Sequence, residues 1–250
     1  MTDIGRRILG VGAIGVALVS FAYHDFTPLW DPKPGPLPLK DLFKLVCDIA
    51  LILGGVAINL RGRLAEIGAI ILAVVYLATA IMLGTPPIAK DWKTEVNWEN
   101  LAESLGLAMG AVLAWCLLGG ASRARAAIVA RLVFGACAVI YGLSDVTYAT
   151  FTASLVPAWL PPSQMFWTWV ACVAHIAAGL AFLSGVQARL AATLLTAMYA
   201  LFQLLVHVPQ VIAHPHDPGH WQEFASNIVF LGAAWCLMEW LRRGAAANTA

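Results

Sequence analysis

Between Leu64 and Gly84 the chain carries one charged residue, Glu66, in a run made mostly of Ile, Leu, Val and Ala. An apolar stretch of about 20 residues is long enough to cross the hydrocarbon core of a bilayer as a helix. Seven further stretches have the same character: 7–24, 41–60, 99–119, 127–150, 164–184, 189–209 and 221–241. Charged residues make up 12% of the chain, against about 25% in a typical soluble domain. Too few polar residues remain to cover a globule in water, and the pattern predicts an all-α integral membrane protein with eight transmembrane helices. The segment 25–40, with Pro28, Pro32, Pro34, Pro36 and Pro38, reads as an extended loop. The first apolar run reads as a retained helix, because Tyr23-His24-Asp25 stands where a signal peptide has its small-residue cleavage site.

The basic residues give an orientation. All ten arginines fall at one set of helix ends (Arg6, Arg7, Arg61, Arg63, Arg123, Arg125, Arg131, Arg189, Arg242, Arg243), and all five lysines at the other. The positive-inside rule makes the arginine side cytoplasmic, with both termini there. Trp30, Trp92, Trp98, Trp159, Trp167, Trp169 and Trp221 gather at the opposite ends, as an aromatic belt does. The net charge of +1 and the lack of any large Lys/Arg cluster leave the bilayer, rather than nucleic acid, as the partner.

An internal repeat is visible. Pro28-x-Trp30-x-Pro32 returns as Pro157-x-Trp159-x-Pro161, Cys47 with Gly54 as Cys172 with Gly179, and Arg63-Leu-Ala as Arg189-Leu-Ala. Ala114-Trp-Cys-Leu-Leu118 returns as Ala234-Trp-Cys-Leu-Met238. The order predicts a duplicated four-helix unit, 1–122 and 123–250, forming two parallel four-helix bundles related by a pseudo-two-fold along the membrane normal. No strongly broken helix pair is legible at mid-membrane.

The stretch Val156-Pro-Ala-Trp-Leu-Pro-Pro162 through Arg189-Leu-Ala191, followed by Leu201-Phe-Gln-Leu-Leu-Val-His207 through Trp221, resembles the DoxX-like family of bacterial four-helix membrane proteins. The first half resembles it more faintly. The resemblance implies a bacterial inner-membrane protein and, from some relatives, a small subunit of a quinone-linked oxidoreductase or a membrane partner of a redox enzyme. Related folds handle thiol redox or vitamin-K chemistry; no Cys-x-x-Cys is present here, so disulfide exchange of the usual kind is not indicated.

Ionisable side chains in hydrocarbon are costly and mark sites by default. Tyr141, Asp145 and Tyr148 are spaced to share a helix face, as are Cys172 with His175, then Tyr199, Gln203 and His207, and then His220, Glu223 and Asn227. Four polar faces in one bundle point at one another rather than at lipid. The expected ligand pocket therefore comprises Asp145, Tyr148, His175, Tyr199, Gln203, His207, Glu223 and Asn227, in the second unit and open to the non-cytoplasmic side. The first unit, with Asp48 and Glu103 but no matching histidine, reads as mainly structural. His207, His214, His216 and His220 form a second cluster whose donors suit Zn²⁺ or Cu²⁺. Three functions stay open: a redox-linked subunit binding quinone and meeting a redox partner, a metal-handling membrane protein, and a small-solute carrier or assembly scaffold. Whether the protein is an enzyme is open as well. A passive reading stands beside them, since buried polar groups in membrane bundles also serve as helix-to-helix hydrogen bonds.

Overall fold

In hydrocarbon every backbone N–H and C=O must be satisfied within the chain, and a continuous helix does so locally. The computed structural model describes residues 3–24 and 40–247, and among them every regular element is helical. The principal helices are α1 Ile4–Tyr23, α2 Lys40–Ile58, α3 Arg63–Thr79, α4 Glu95–Gly119, α5 Ala124–Thr147, α6 Gln164–Ser184, α7 Ala188–Phe202 and α8 Pro218–Ala247. The first Pro-x-Trp-x-Pro copy lies outside the described residues.

Among the described residues six helical segments are long and apolar enough to cross a membrane: Ile4–Tyr23, Arg63–Lys90, Glu95–Thr147, Gln164–Ser184, Ala188–Ala213 and Pro218–Gly244. Glu95–Thr147 contains two of the expected spans, α4 and α5, joined through the 3-10 turn Gly120–Arg123. α2, expected as a span over 41–60, is a helix but is not among the six. Lys40, Asp41, Lys44 and Asp48 crowd its first half. Asp48, only 1% exposed, is held by Lys44 Nζ at 2.7 Å and by the Ser20 hydroxyl at 2.8 Å.

α3 and α7 do not stop where their α-helical hydrogen bonding does. Each passes through a π turn, Ala80–Gly84 and Gln203–His207, into a six-residue helix, Thr85–Lys90 and Val208–Ala213. Both short helices carry proline in their first turn, and proline has no N–H to give the preceding turn. These interruptions are absent from the sequence expectation, although Pro86, Pro87 and Pro209 signal them.

The helices pack in chain order from α1 to α8, α8 returns to α1, and α4 crosses α8 in the middle. The two expected bundles are thus joined, each enclosed by five helices with α4 and α8 common to both. Small residues permit this closeness. A Cβ on Gly55 would stand 2.6 Å from Gly10 O, and one on Gly179 2.6 Å from Gly135 O, so α1 meets α2 and α5 meets α6 through the same glycine-on-glycine contact.

The helix ends are tied by the residues that mark them in the sequence. Arg6, 4% exposed, donates to Ile58 O and to Leu60 O (2.9 Å), capping α2, and pairs with Asp3 at 2.7 Å. Arg131 occupies the same place on α5, against Gly185 just past α6. At the other end Trp98, Trp167 and Trp221 each stand fourth in their helix. Their indole N–H groups donate to the carbonyls of Trp92, Pro161 and Pro215 at 2.8, 2.8 and 2.9 Å. The indole thus sits at the boundary with its polar edge satisfied.

Gly179→Val places methyl groups into the Gly135 backbone and is expected to cost about 1–3 kcal/mol or more. Gly244→Val, with nothing within 4 Å of an added Cβ, should leave stability unchanged. Thermal unfolding in detergent compares the two.

Candidate functional site

A cavity of about 160 Å³ lies inside the ring formed by α4, α5, α6, α7 and α8, toward the tryptophan-bearing end. α5 contributes Tyr141 and Asp145, and α6 contributes His175. α7 contributes Tyr199 and Phe202, and its π turn contributes His207. α8 adds Glu223, Ser226, Asn227 and Phe230, and α4 adds Glu99 and Glu103.

His175 is a buried polar group on this wall with one ring nitrogen engaged. It is 7% exposed, its Nδ1 lies 2.9 Å from Asp145 Oδ2, and its Nε2 has no hydrogen-bond partner. The carboxylate fixes the ring and leaves the other nitrogen for whatever enters. Tyr141 and Tyr199 flank the imidazole with ring centroids at 5.8 and 5.9 Å, and Phe230 packs edge-on to Tyr141 at 5.7 Å. The Tyr141 hydroxyl is engaged with Ala102 O at 2.8 Å, so its ring rather than its hydroxyl sets the wall. Glu223, 8% exposed, sits between His207 and His220, whose Nδ1 atoms stand 3.9 and 3.7 Å from Oε2.

Most of the expected stripe converges here: Asp145, His175, Tyr199, His207, Glu223 and Asn227 all line the cavity. Two residues do not. Tyr148 lies beyond the end of α5 with φ −112° and ψ 33°, so the helical spacing that placed it with Asp145 no longer applies. Gln203 opens the π turn, which shifts the phase of α7. Its Oε1 accepts from Asn227 Nδ2 at 2.7 Å, and the same amide donates to Tyr199 O at 3.0 Å, so Gln203 braces the wall from behind.

The sequence reading also left Glu99 out and assigned Glu103 to a structural first half. Both reach the cavity because α4 closes its ring. The i, i+4, i+8 spacing of Glu95, Glu99 and Glu103 was the available signal. The outer histidines divide. His207 faces the cavity, His214 and His220 place their rings 5.1 Å apart, and His216 is exposed. Among the described residues no three His, Cys, Asp or Glu side chains are arranged to hold a metal ion.

The DoxX family model matches residues 126–208. This part of the chain is DoxX-like. The DoxX-like part supplies α5, α6 and α7, and with them Tyr141, Asp145, His175, Tyr199, Phe202 and His207. The remaining walls, from α4 and α8, lie outside the match. No curated protein and no solved structure matches the chain. With its apolar helices and its DoxX-like part, the chain is an integral membrane protein in contact with the lipid bilayer.

Asp145→Ala leaves a buried imidazole N–H or lone pair without its partner and should lower stability by about 1–3 kcal/mol. Replacing both partners together, Asp145→Ser with His175→Leu, is expected to recover most of that loss. Thermal unfolding of the two variants in one detergent measures the difference.

Proposed function

We propose that the protein is a redox-linked subunit of the bacterial inner membrane that holds the head of a lipid-soluble quinone in this cavity and works beside a redox partner. The observation that carries the reading is His175, buried, oriented by Asp145, and with Nε2 unpaired on the cavity wall. A quinone oxygen is an acceptor for that nitrogen when it carries its proton, and the rings of Tyr141, Tyr199 and Phe230 offer flat apolar faces to a planar head. Pockets that enclose whole drug-sized ligands measure about 300–1,000 Å³. At about 160 Å³, this cavity suits a head group whose tail remains in the bilayer. When bound, a quinone supplies coupled electron and proton exchange; the chain supplies the ring clamp, the imidazole and the carboxyl groups around it.

The same proposal includes a tandem origin, units 1–122 and 123–250, with both termini cytoplasmic. Matching interactions support the duplication: Gly10 on Gly55 with Gly135 on Gly179, Arg6 with Arg131, and a π turn in α3 and again in α7. Tyr76 matches Tyr199, but the places of Tyr141, His175 and His207 hold Val16, Leu51 and Gly84 in the first unit. That pattern supports a ligand site in the ring of α4 to α8 rather than in the ring that α1, α2 and α3 complete. The arginine asymmetry supports the orientation.

Quinone binding to the purified protein in lipid nanodiscs should weaken about ten- to a hundredfold in His175→Ala, the range of one lost buried hydrogen bond. His216→Ala, at an exposed position, should bind as the parent does. Equal affinity in the parent and His175→Ala, or no binding by the parent, removes the quinone reading. For orientation, a cysteine at position 216 should react with an impermeant maleimide added outside intact cells, and one at 244 only after permeabilisation. The reverse pattern inverts the topology.

A further inference from the structure

α4 carries three carboxyl groups on one face, Glu95, Glu99 and Glu103, at successive helical turns. They run from the first residue of the helix, at the tryptophan-bearing end, about 12 Å inward at 1.5 Å per residue. Glu95 is half-buried at the mouth, and Glu99 and Glu103 stand on the cavity wall. Ser144 of α5, 4% exposed, packs against this face, and its hydroxyl donates to Glu95 Oε1 at 2.5 Å. A hydroxyl has one proton to give and two lone pairs to accept with. Ser144 can therefore take a proton from Glu99 while passing its own to Glu95.

A second, independent observation places the inner end of this ladder. His175 Nε2 is unpaired and buried on the wall of the same cavity. The groups around it from the packed helices are Tyr141 and Asp145 on α5, Tyr199 and His207 on α7, and Glu223 on α8. None of the lining residues is Lys or Arg. An acid–imidazole cavity with no fixed cation next to it is suited to protons in transit, because no permanent ion pair holds the carboxylates in one charge state. The contrast with α2 supports this: there Asp48 is locked by Lys44. Counted from the fourth-position tryptophans, Trp98 and Trp221, the places of Glu99 and Glu103 on α8 hold Gln222 and Ser226.

We propose that Glu95, Ser144, Glu99 and Glu103 form a proton path between His175 and the aqueous face at the tryptophan-bearing end. A proton leaving His175 Nε2 passes through cavity water to Glu103 and then to Glu99. Glu99 gives it to Ser144 Oγ as Ser144 releases its own proton to Glu95, and Glu95 releases one proton to bulk water. His175 loses one proton and bulk water gains one; Glu103, Glu99 and Glu95 return to their starting protonation, and Ser144 does so once its hydroxyl rotates back. The inward direction uses the same steps in reverse. The path deepens the proposed function, since it would serve ligand protonation in the cavity, but its geometry stands whether or not the ligand is a quinone.

The test needs no ligand. Full-length protein in lipid nanodiscs is given a rapid pH jump, and the imidazole ring band of His175, assigned by its loss in His175→Ala, is followed by time-resolved infrared spectroscopy. In Glu99→Gln the response should slow by about a hundredfold, within the usual worth of a positioned proton-transfer group, with its final amplitude preserved. Glu95→Gln, at the helix mouth where folding is least at risk, should slow it in the same direction. Asp48→Asn, outside the path, should not. An unchanged rate in Glu99→Gln or in Glu95→Gln overturns the proton path. Loss of quinone binding with the slowing intact would overturn only the choice of ligand.

Discussion

A polar group inside hydrocarbon has only the rest of the protein to satisfy it. That constraint orders the whole molecule. It makes every described element helical, and it brings Arg6 onto the carbonyls at the end of α2. It also turns the indole N–H of Trp98, Trp167 and Trp221 back onto loop carbonyls. It further separates the two halves. On the α1–α2 side the buried carboxylate, Asp48, has both an ammonium and a hydroxyl partner. On the α5–α6 side the carboxylate Asp145 has an imidazole, which pairs through one nitrogen and leaves the other open. The first arrangement closes a polar cluster, and the second leaves a polar atom available to something else.

The same constraint explains which parts of the structure were legible in the sequence. Features set by one helix at a time could be read directly. The apolar runs gave the helices, the arginines and tryptophans gave the two ends, and helical spacing on α5 to α8 gave seven of the cavity residues. Features set by hydrogen bonding across a turn could not. The π turn at Gln203–His207 rotates everything after it relative to a straight α-helix, which is why Gln203 left the wall while His207 stayed on it. Tyr148 failed for a related reason, since spacing says nothing once α5 has ended. α2, read as a span over 41–60, is a helix over Lys40–Ile58 with four charged residues in its first half.

Features set by packing between distant helices were the least visible. Glu99 and Glu103 carry no sequence sign of which neighbour they face. Only the crossing of α4 and α8 shows that α4 closes the ring around the second cavity. The expected repeat paired Gly54 with Gly179 by spacing from cysteine, whereas backbone contacts set Gly55 against Gly10 as they set Gly179 against Gly135. A one-residue slip costs nothing in sequence similarity, but it turns a helix by about 100°, so contact geometry corrects what periodicity leaves loose.

The sharing of α4 and α8 has a consequence for how such a site arises. A lone four-helix unit with this packing cannot close a five-helix ring; its fifth wall must come from a second unit. Joining two units in one chain, as the proposed duplication does, guarantees that wall and frees the two copies to diverge. Counted from Trp98 and Trp221, α4 presents Glu99 and Glu103 where α8 has Gln222 and Ser226, and α5, α6 and α7 have Asp145, His175 and His207 where, in the proposed pairing, α1, α2 and the end of the α3 segment have Ser20, Leu51 and Gly84. The changes fall on both sides of one cavity and on opposite halves of the chain. Each change alone would leave an unpartnered polar group in a membrane interior, so acids on α4 and histidines on α6 and α7 are best tolerated together, around a shared space that water, protons or a ligand can occupy.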